Sequence, residues 1–310
     1  MYDVIILGAG MAGLSASIYA ARAGLKTLII EKGAVGGQIT LTLSVDNYPG
    51  DDTNPTGMEL SEKMMRQADK FGVERITDEI IDTDLTSKVK VLKSRDKTYE
   101  AKAVILATGA NPRKLNIPGE DEFTGKGVAF CATCDGPFYT GSEIYVIGGG
   151  DAALEEAVFL TTFARKVYVV YRGDRLRAAK AVQEQAMAND KIEFIFNSEI
   201  KEITGDQFGV NKVKMVNNVT NEVTYLLPKD GDKDFGVFIF VGYVPNTSLF
   251  EGVINLDKGY IVTDDDMRTN IEGVYAAGDV RKKTVRQVVT AASDGAIAAV
   301  NVGKYLGTQK

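Results

Sequence analysis

Two stretches of this chain share one construction, and together they restrict the fold more than any other feature. The first, YDVIILGAGMAGLSASIYAARAGLKTLIIEK, runs from an apolar strand over residues 4–7 through a glycine turn into an amphipathic helix, then into a second strand ending at Glu31. The second, EIYVIGGGDAALEEAVFLTTFARKVYVVYRG, repeats that order over residues 144–171. Each reads as a βαβ unit whose glycines sit where a strand hands over to a helix. Gly8, Gly10 and Gly13 carry the first turn, with the acid Glu31 closing the second strand about 20 residues on. Gly148, Gly150 and Ala153 repeat the geometry. Glycine lets the backbone approach a pyrophosphate, and a helix N-terminus offers it unpaired N–H groups and a partial positive charge. Two such units point to two dinucleotide sites. The plainer alternative is a doubly wound sheet whose glycines serve only the turns.

The rest of the chain fits an insertion. AKAVILATGANPRKLNIPG is an apolar strand ending in Ala107-Thr108-Gly109 and followed by a proline-punctuated crossover. A matching crossover appears at FVGYVPNTSLF, and GVYAAGDV supplies another short strand ending in Gly278-Asp279. An alanine-rich helix is expected from about residue 286 to 305, and LPKDGDKDFG, residues 227–236, reads as a polar turn before the strand VFIFVG. The fold class that follows is α/β, with two Rossmann-like dinucleotide-binding domains, the second inserted into the first. The expected boundaries are residues 1–113 and 246–310 for the discontinuous domain and 114–245 for the inserted one. The crossovers, at about residues 111–119 and 242–246, are where a hinge between rigid domains is expected.

Composition removes several function classes. The 310 residues are 45% apolar, enough for a sizeable core, and the formal net charge of −6 argues against a nucleic-acid or anionic-membrane binder. No apolar run reaches the ~18 residues of a spanning helix, and the first residues lack a basic, cleavable leader, so a cytoplasmic protein is expected. The only two cysteines, Cys131 and Cys134, lie in CATCDG. They cannot build a disulfide framework, and with no histidine in the chain a closed zinc site lacks ligands. That leaves redox chemistry, with a carboxylate, lysine, tyrosine or cysteine as any proton carrier. The competing reading is an inert buried dithiol, against which stand Thr133, Gly136 and the adjacent Asp135, poor material for a core. Asp135 itself reads as a proton shuttle or as a turn residue accepting a backbone N–H.

In order along the chain, Gly8-Ala9-Gly10-Met11-Ala12-Gly13, Gly36-Gly37-Gln38, Asp46-Asn47-Tyr48-Pro49-Gly50, Ala107-Thr108-Gly109, Cys131-Ala132-Thr133-Cys134-Asp135-Gly136, Gly148-Gly149-Gly150-Asp151, Gly278-Asp279 and Arg286-Gln287 resemble the low-molecular-weight bacterial thioredoxin reductases. The resemblance implies an FAD domain in two pieces, an inserted pyridine-nucleotide-type domain carrying the cysteines, a homodimer, and thioredoxin or a thioredoxin-like protein as partner. It places FAD along Gly8, Gly10 and Gly13, with its adenosine ribose on Glu31. The flavin region falls near Gln38 and Asn47, the ribityl or phosphate end at Asp279 beside Arg286 and Gln287, and Gly37, Thr108 and Gly109 are further FAD-binding positions. By the same likeness Cys134 is the flavin-proximal sulfur and Cys131 the one that attacks the partner, with Asp135 as proton carrier.

One stretch departs from the family. Its NADPH-dependent members carry His-Arg-Arg-x-x-x-Arg after the second strand of the inserted unit; here Tyr171-Arg172-Gly173 is followed by Arg177. Arg172 and Arg177 remain as candidate NADP contacts, together with Gly148, Gly150 and Ala153. Losing one charge-assisted contact weakens a 2′-phosphate by roughly ten- to hundred-fold. Three readings stay open: NADPH or NADH as donor with a weakened 2′-phosphate site, ferredoxin as donor, or a flavin redox sensor without turnover. Ferredoxin would need a basic docking face, for which Arg165, Lys166, Arg172, Arg175, Arg177 and Lys180 are candidates; solvated surface charges are the plainer account of that cluster.

Overall fold

A computed structural model describes residues 1–42, 45, 47–228 and 235–308. The chain divides into two compact units, Met1–Asn111 with Val244–Lys310, and Pro112–Tyr243. The first opens with β1 (Tyr2–Leu7), α1 (Met11–Arg22) and β2 (Thr27–Glu31), then α2 (Gly57–Asp69), β3 (Glu74–Thr77), β4 (Asp82–Asp84), β5 (Lys90–Lys93) and β6 (Thr98–Leu106). Strands β1 and β2 are apolar on both faces because the sheet is covered on both sides, with Ile5, Ile6, Leu28 and Ile30 fully buried.

The chain then passes through β7 (Ala110–Pro112) into the second unit. That unit contains β8 (Val128–Ala129), α3 (Ala132–Asp135), β9 (Glu143–Ile147), α4 (Asp151–Leu160), β10 (Lys166–Val170), α5 (Lys180–Met187) and β11 (Ile192–Ile195). A separate antiparallel sheet follows, made of β12 (Ser198–Asp206), β13 (Gly209–Asn217) and β14 (Val223–Leu226), before β15 (Gly236–Ile239) rejoins the first. The chain leaves by β16 (Tyr243–Pro245), forms the small ladder β17 (Leu256–Asp257) and β18 (Tyr260–Ile261), and ends with β19 (Val274–Ala276) and α6 (Val288–Thr308).

Each unit's main sheet reverses its winding at the strand that leads into its glycine turn, β1 in the first and β9 in the second. In the first, the order β3-β2-β1-β6-β5-β4 places β2 and β6 on opposite sides of β1, and β19 pairs in parallel with the far half of β6. In the second, the order is β11-β10-β9-β15-β8, all parallel, with β10 and β15 flanking β9. Reversal opens a crevice beyond the carboxyl end of the central strand, and in both units a glycine turn lies there. Helix α6 packs on α1 so closely that a Cβ at Gly295 would lie 2.1 Å from the Ala12 carbonyl oxygen. Among the described residues no helix is long and apolar enough to cross a membrane.

Candidate functional site

Helix α2 shows how a helix in this chain closes its own start: the Thr56 hydroxyl accepts from the Glu59 amide and the Glu59 carboxylate accepts from the Thr56 amide. Helices α1 and α4 do not. Their N-caps are Gly10 and Gly150, neither of which supplies a side-chain cap, so their first-turn N–H groups face the crevices uncapped. The three glycines of the first turn have different reasons to be glycine. At Gly8, φ is +108° and a Cβ would lie 2.3 Å from the Ala107 carbonyl oxygen; at Gly13 a Cβ would lie 1.9 Å from the Gly8 oxygen. Those two are demanded by the protein's own packing. At Gly10 the nearest atom to a Cβ is the Gly36 oxygen at 3.7 Å, which leaves the approach to the α1 N-terminus clear.

The remaining residues expected around this turn belong to the same unit. Glu31 accepts from the Ala9 amide at 2.8 Å and the Gly33 amide at 3.1 Å, one on each carboxylate oxygen, so each oxygen keeps a further lone pair. Gly36 donates to the Ala9 carbonyl at 2.8 Å, and Gly37, at φ +68°, begins a 3-10 turn carrying Gln38. Gln38 donates to Asn111 at 2.6 Å, and Asn47 donates to Gln287 at 3.2 Å. Thr108 and Asn246 are joined twice, Thr108 Oγ1 to the Asn246 carbonyl and Asn246 Nδ2 to the Thr108 carbonyl, while Asn246 N donates to Gly109. Asp46 lies outside the described residues, as do residues 229–234 of the expected polar turn.

Asp279 and Arg286 test whether this unit fits a flavin dinucleotide. Asp279 Oδ1 and Arg286 Nε are buried without a hydrogen-bond partner, and burial raises the Asp279 carboxyl above its ordinary range, against the lowering effect of Lys283 and Arg286. A buried polar atom without a partner costs about 1–3 kcal/mol, so such atoms imply a partner from outside the chain. A ribityl or phosphate group offers both the donors and the acceptors needed. Sequence reasoning missed the support beneath them. Asp294 on α6 accepts from the Gly278 amide and is ion-paired to Arg281 and Lys283, while the Arg286 guanidinium lies 4.4 Å from the centre of the Tyr260 ring. A lone acid inside an alanine-rich helix was the one signal that marked Asp294.

In the second unit, Cys131 and Cys134 are joined as a disulfide, with Cα atoms 5.3 Å apart. The bond spans the start of α3, whose single turn is closed by the Asp135 amide donating to the Cys131 carbonyl at 3.1 Å. The Cys131 sulfur lies 3.4 Å from the Thr133 hydroxyl. Phe130, between β8 and Cys131, is held by the Tyr243 hydroxyl donating to its carbonyl at 2.7 Å. Gly136 seats the turn on its neighbours, since a Cβ there would lie 3.0 Å from Leu160 and 3.1 Å from Phe163. Burial pushes the Asp135 carboxyl up to about 6, which makes it a group that gains and loses protons near neutral pH.

The second glycine turn is open at Gly150, where a Cβ would meet nothing within 4 Å, and closed at Gly148, where it would lie 2.5 Å from the Phe240 oxygen. Ala153 is buried against the turn. Arg172 and Arg177 are exposed, and the Arg177 amide donates to the Gly149 carbonyl at 2.7 Å. Of the candidate basic face, Arg165 pairs with Glu143, Lys166 with Glu193, Arg175 with Asp174 and Lys180 with Glu184. Those pairings spend much of the positive field that a docking acid would need.

Comparison with known proteins agrees over the whole chain. A family model described as pyridine nucleotide-disulphide oxidoreductase matches residues 2–295. The thioredoxin reductase of Peptoclostridium acidaminophilum is 53% identical over 307 residues, 99% of this chain and 97% of that one. That of Bacillus subtilis (strain 168) is 46% identical, over 99% and 95%. The crystal structure of thioredoxin reductase from Streptococcus pyogenes MGAS5005 superposes with a TM-score of 0.94 at 46% identity, covering 99% of each chain.

Proposed function

We propose a function from one premise: this chain belongs to the pyridine nucleotide-disulphide oxidoreductases and, within them, to the thioredoxin reductases. It is a flavoprotein oxidoreductase with a redox-active disulfide, and the function assigned to it is reduction of the disulfide of thioredoxin or a thioredoxin-like protein through Cys131 and Cys134. The observation that carries the reading is the Cys131–Cys134 bond, set on one helical turn beside a carboxyl whose pKa is about 6.

FAD, when bound, supplies a two-electron carrier between the electron donor and the thiols. Gly10 and the α1 N-terminus would hold its pyrophosphate, Glu31 its adenosine ribose, and Asp279 with Arg286 its ribityl or phosphate end. Gly37, Gln38, Asn47, Thr108, Gly109 and Gln287 would line the remainder. Reduction breaks the Cys131–Cys134 bond and takes up two electrons and two protons, one of them held at Asp135. The Cys131 thiolate then attacks the partner's disulfide, forming a mixed disulfide as the partner's other sulfur leaves and takes a proton. Cys134 attacks the Cys131 sulfur next, which restores the internal bond and releases the partner as a dithiol. The Thr133 hydroxyl is placed to donate to a Cys131 thiolate.

The donor assigned is a pyridine nucleotide, NADPH or NADH, seated at Gly148, Gly150 and Ala153 with Arg172 and Arg177 at its ribose end. Ferredoxin draws little support from cations that are mostly ion-paired. A homodimer and a cytoplasmic setting complete the proposal, both taken from the family. The test is anaerobic: purified protein is mixed with thioredoxin and either NADPH or NADH, while flavin absorbance and new thioredoxin thiols are followed. Bleaching together with thiol formation is the expected result. Bleaching without thiols would make the protein a sensor, and protein unable to retain FAD would end the reading.

A further inference from the structure

Tyr171, the first residue beyond β10, is 9% exposed, and its ring is caught between two glycines. A Cβ at Gly149 would lie 2.4 Å from Tyr171 Cδ2 and 2.6 Å from Cε2; a Cβ at Gly173 would lie 2.9 Å from Cε1 and 3.3 Å from Cζ. Opposite edges of one ring therefore face the two positions. Neither glycine has a positive φ, so backbone conformation explains neither of them and the ring explains both. Nor is the surrounding backbone free to give way. The Tyr171 amide donates to the Ile195 carbonyl, the Ser198 amide to Tyr171, the Asn197 amide to Gly173, and Asn218 Nδ2 to the Arg172 carbonyl.

In a Rossmann unit the segment following the second strand reads the 2′ position of the adenosine ribose, by an acid for a hydroxyl or by arginine for a phosphate. Here the pyrophosphate turn is clear at Gly150, while the ring occupies the ground on which a side chain at 173 would have to start. We propose that Tyr171 and Gly173 act as one specificity element. The ring wedged against the glycine turn excludes a phosphate-binding arginine from position 173, so a 2′-phosphate is left with Arg172 and Arg177, both exposed and screened by water, and the site takes an adenine dinucleotide of the NADH class at least as readily as NADPH. This rests on the reading of the second unit as the donor site.

The element makes a non-additive prediction. Gly173→Arg by itself brings in a cation whose Cβ collides with the ring, so it gains little; with Tyr171→His the smaller ring withdraws from position 173 and the arginine can reach a phosphate. The experiment titrates the intact FAD-loaded protein with AMP and with adenosine 2′,5′-bisphosphate by calorimetry. The parent is expected to bind the bisphosphate no more tightly than AMP. Gly173→Arg should change that ratio less than about threefold, and Tyr171→His/Gly173→Arg should favour the bisphosphate by about tenfold or more. A parent preferring the bisphosphate tenfold, a parent binding neither ligand, or a single variant equal to the double would overturn the proposal. Thermal unfolding gives a second measure: Gly173→Ala should lower the Tm in the parent but not in Tyr171→Ala, and an equal loss in both backgrounds would remove the wedge. Neither measurement involves thioredoxin, so failure of the disulfide reductase function leaves this result readable.

Discussion

The Asp294 carboxylate accepts the Gly278 amide hydrogen at 3.0 Å, and so ties the C-terminal helix to the turn that presents Asp279. The same carboxylate oxygen lies 2.8 Å from Lys283 Nζ and 2.9 Å from Arg281 Nη1, both on side chains only 11% exposed. Asp294→Asn keeps an acceptor for Gly278 but leaves two buried cations without their counter-charge, which costs about 3 kcal/mol or more. The variant should unfold at lower temperature and release FAD at least about tenfold more readily on dilution. Unchanged flavin retention would show that the turn is held by other contacts.

Gly8 and Gly10 should respond differently to one added methyl group. Gly8→Ala forces a Cβ to 2.3 Å from a carbonyl oxygen at φ +108°, so the variant should fold poorly and express as aggregate. Gly10→Ala meets nothing of the protein closer than 3.7 Å, so the fold should persist while FAD affinity drops. Circular dichroism and the flavin-to-protein absorbance ratio, read together, separate the two outcomes. Full flavin content in Gly10→Ala would move the pyrophosphate away from this turn.

Asp135 gives a pH dependence whose sign follows from its environment. Burial raises its carboxyl from 3.8 to about 6, so between those values the folded protein holds a proton that the unfolded chain has released. The associated stabilisation is complete below pH ~4 and lost as pH rises through ~6. Asp135→Asn is neutral throughout. In the oxidised protein it should match the parent at pH 4 and exceed it by about 2–3 kcal/mol at pH 8, measured from urea midpoints. A gap between the two that does not vary with pH would mean the carboxyl titrates normally. In turnover the same residue should matter oppositely, with the parent's rate falling above pH 6 and the variant slow at every pH.

Cys131→Ser should leave flavin reduction by the donor intact while thioredoxin reduction falls about a thousandfold or more, as expected for loss of a nucleophile. Stopped-flow absorbance follows the first half-reaction and thiol counting the second. Thioredoxin reduction surviving in this variant would reassign the attacking sulfur.

What could be read from the chain beforehand was local in origin. The β1–α1–β2 and β9–α4–β10 units show themselves through apolar runs broken by glycines at fixed offsets, and CATC through its spacing alone. The last helix, expected over about residues 286–305, runs Val288–Thr308; Arg286 and Gln287 precede it. The three-stranded sheet β12-β13-β14 went unread because its alternation is broken by irregularities between Ile200 and Glu202 and between Thr204 and Gly205, which shift the apolar period. Contacts made across great sequence distance were equally hidden. Thr108 and Asn246 are 138 positions apart, and nothing near either one encodes the other. The missing arginine at Gly173 was visible in the sequence, but the ring that requires its absence was visible only in three dimensions.

The threading of the chain has a consequence for biosynthesis. Strand β19, which pairs with β6, is not made until residue 276, after the whole of Pro112–Tyr243 has been translated. On the ribosome, then, the uninterrupted middle segment has all its own strands available while the earlier sheet still waits for an edge. A nascent polypeptide stalled before residue 274 should hold a protease-resistant fragment of the middle segment and no bound flavin.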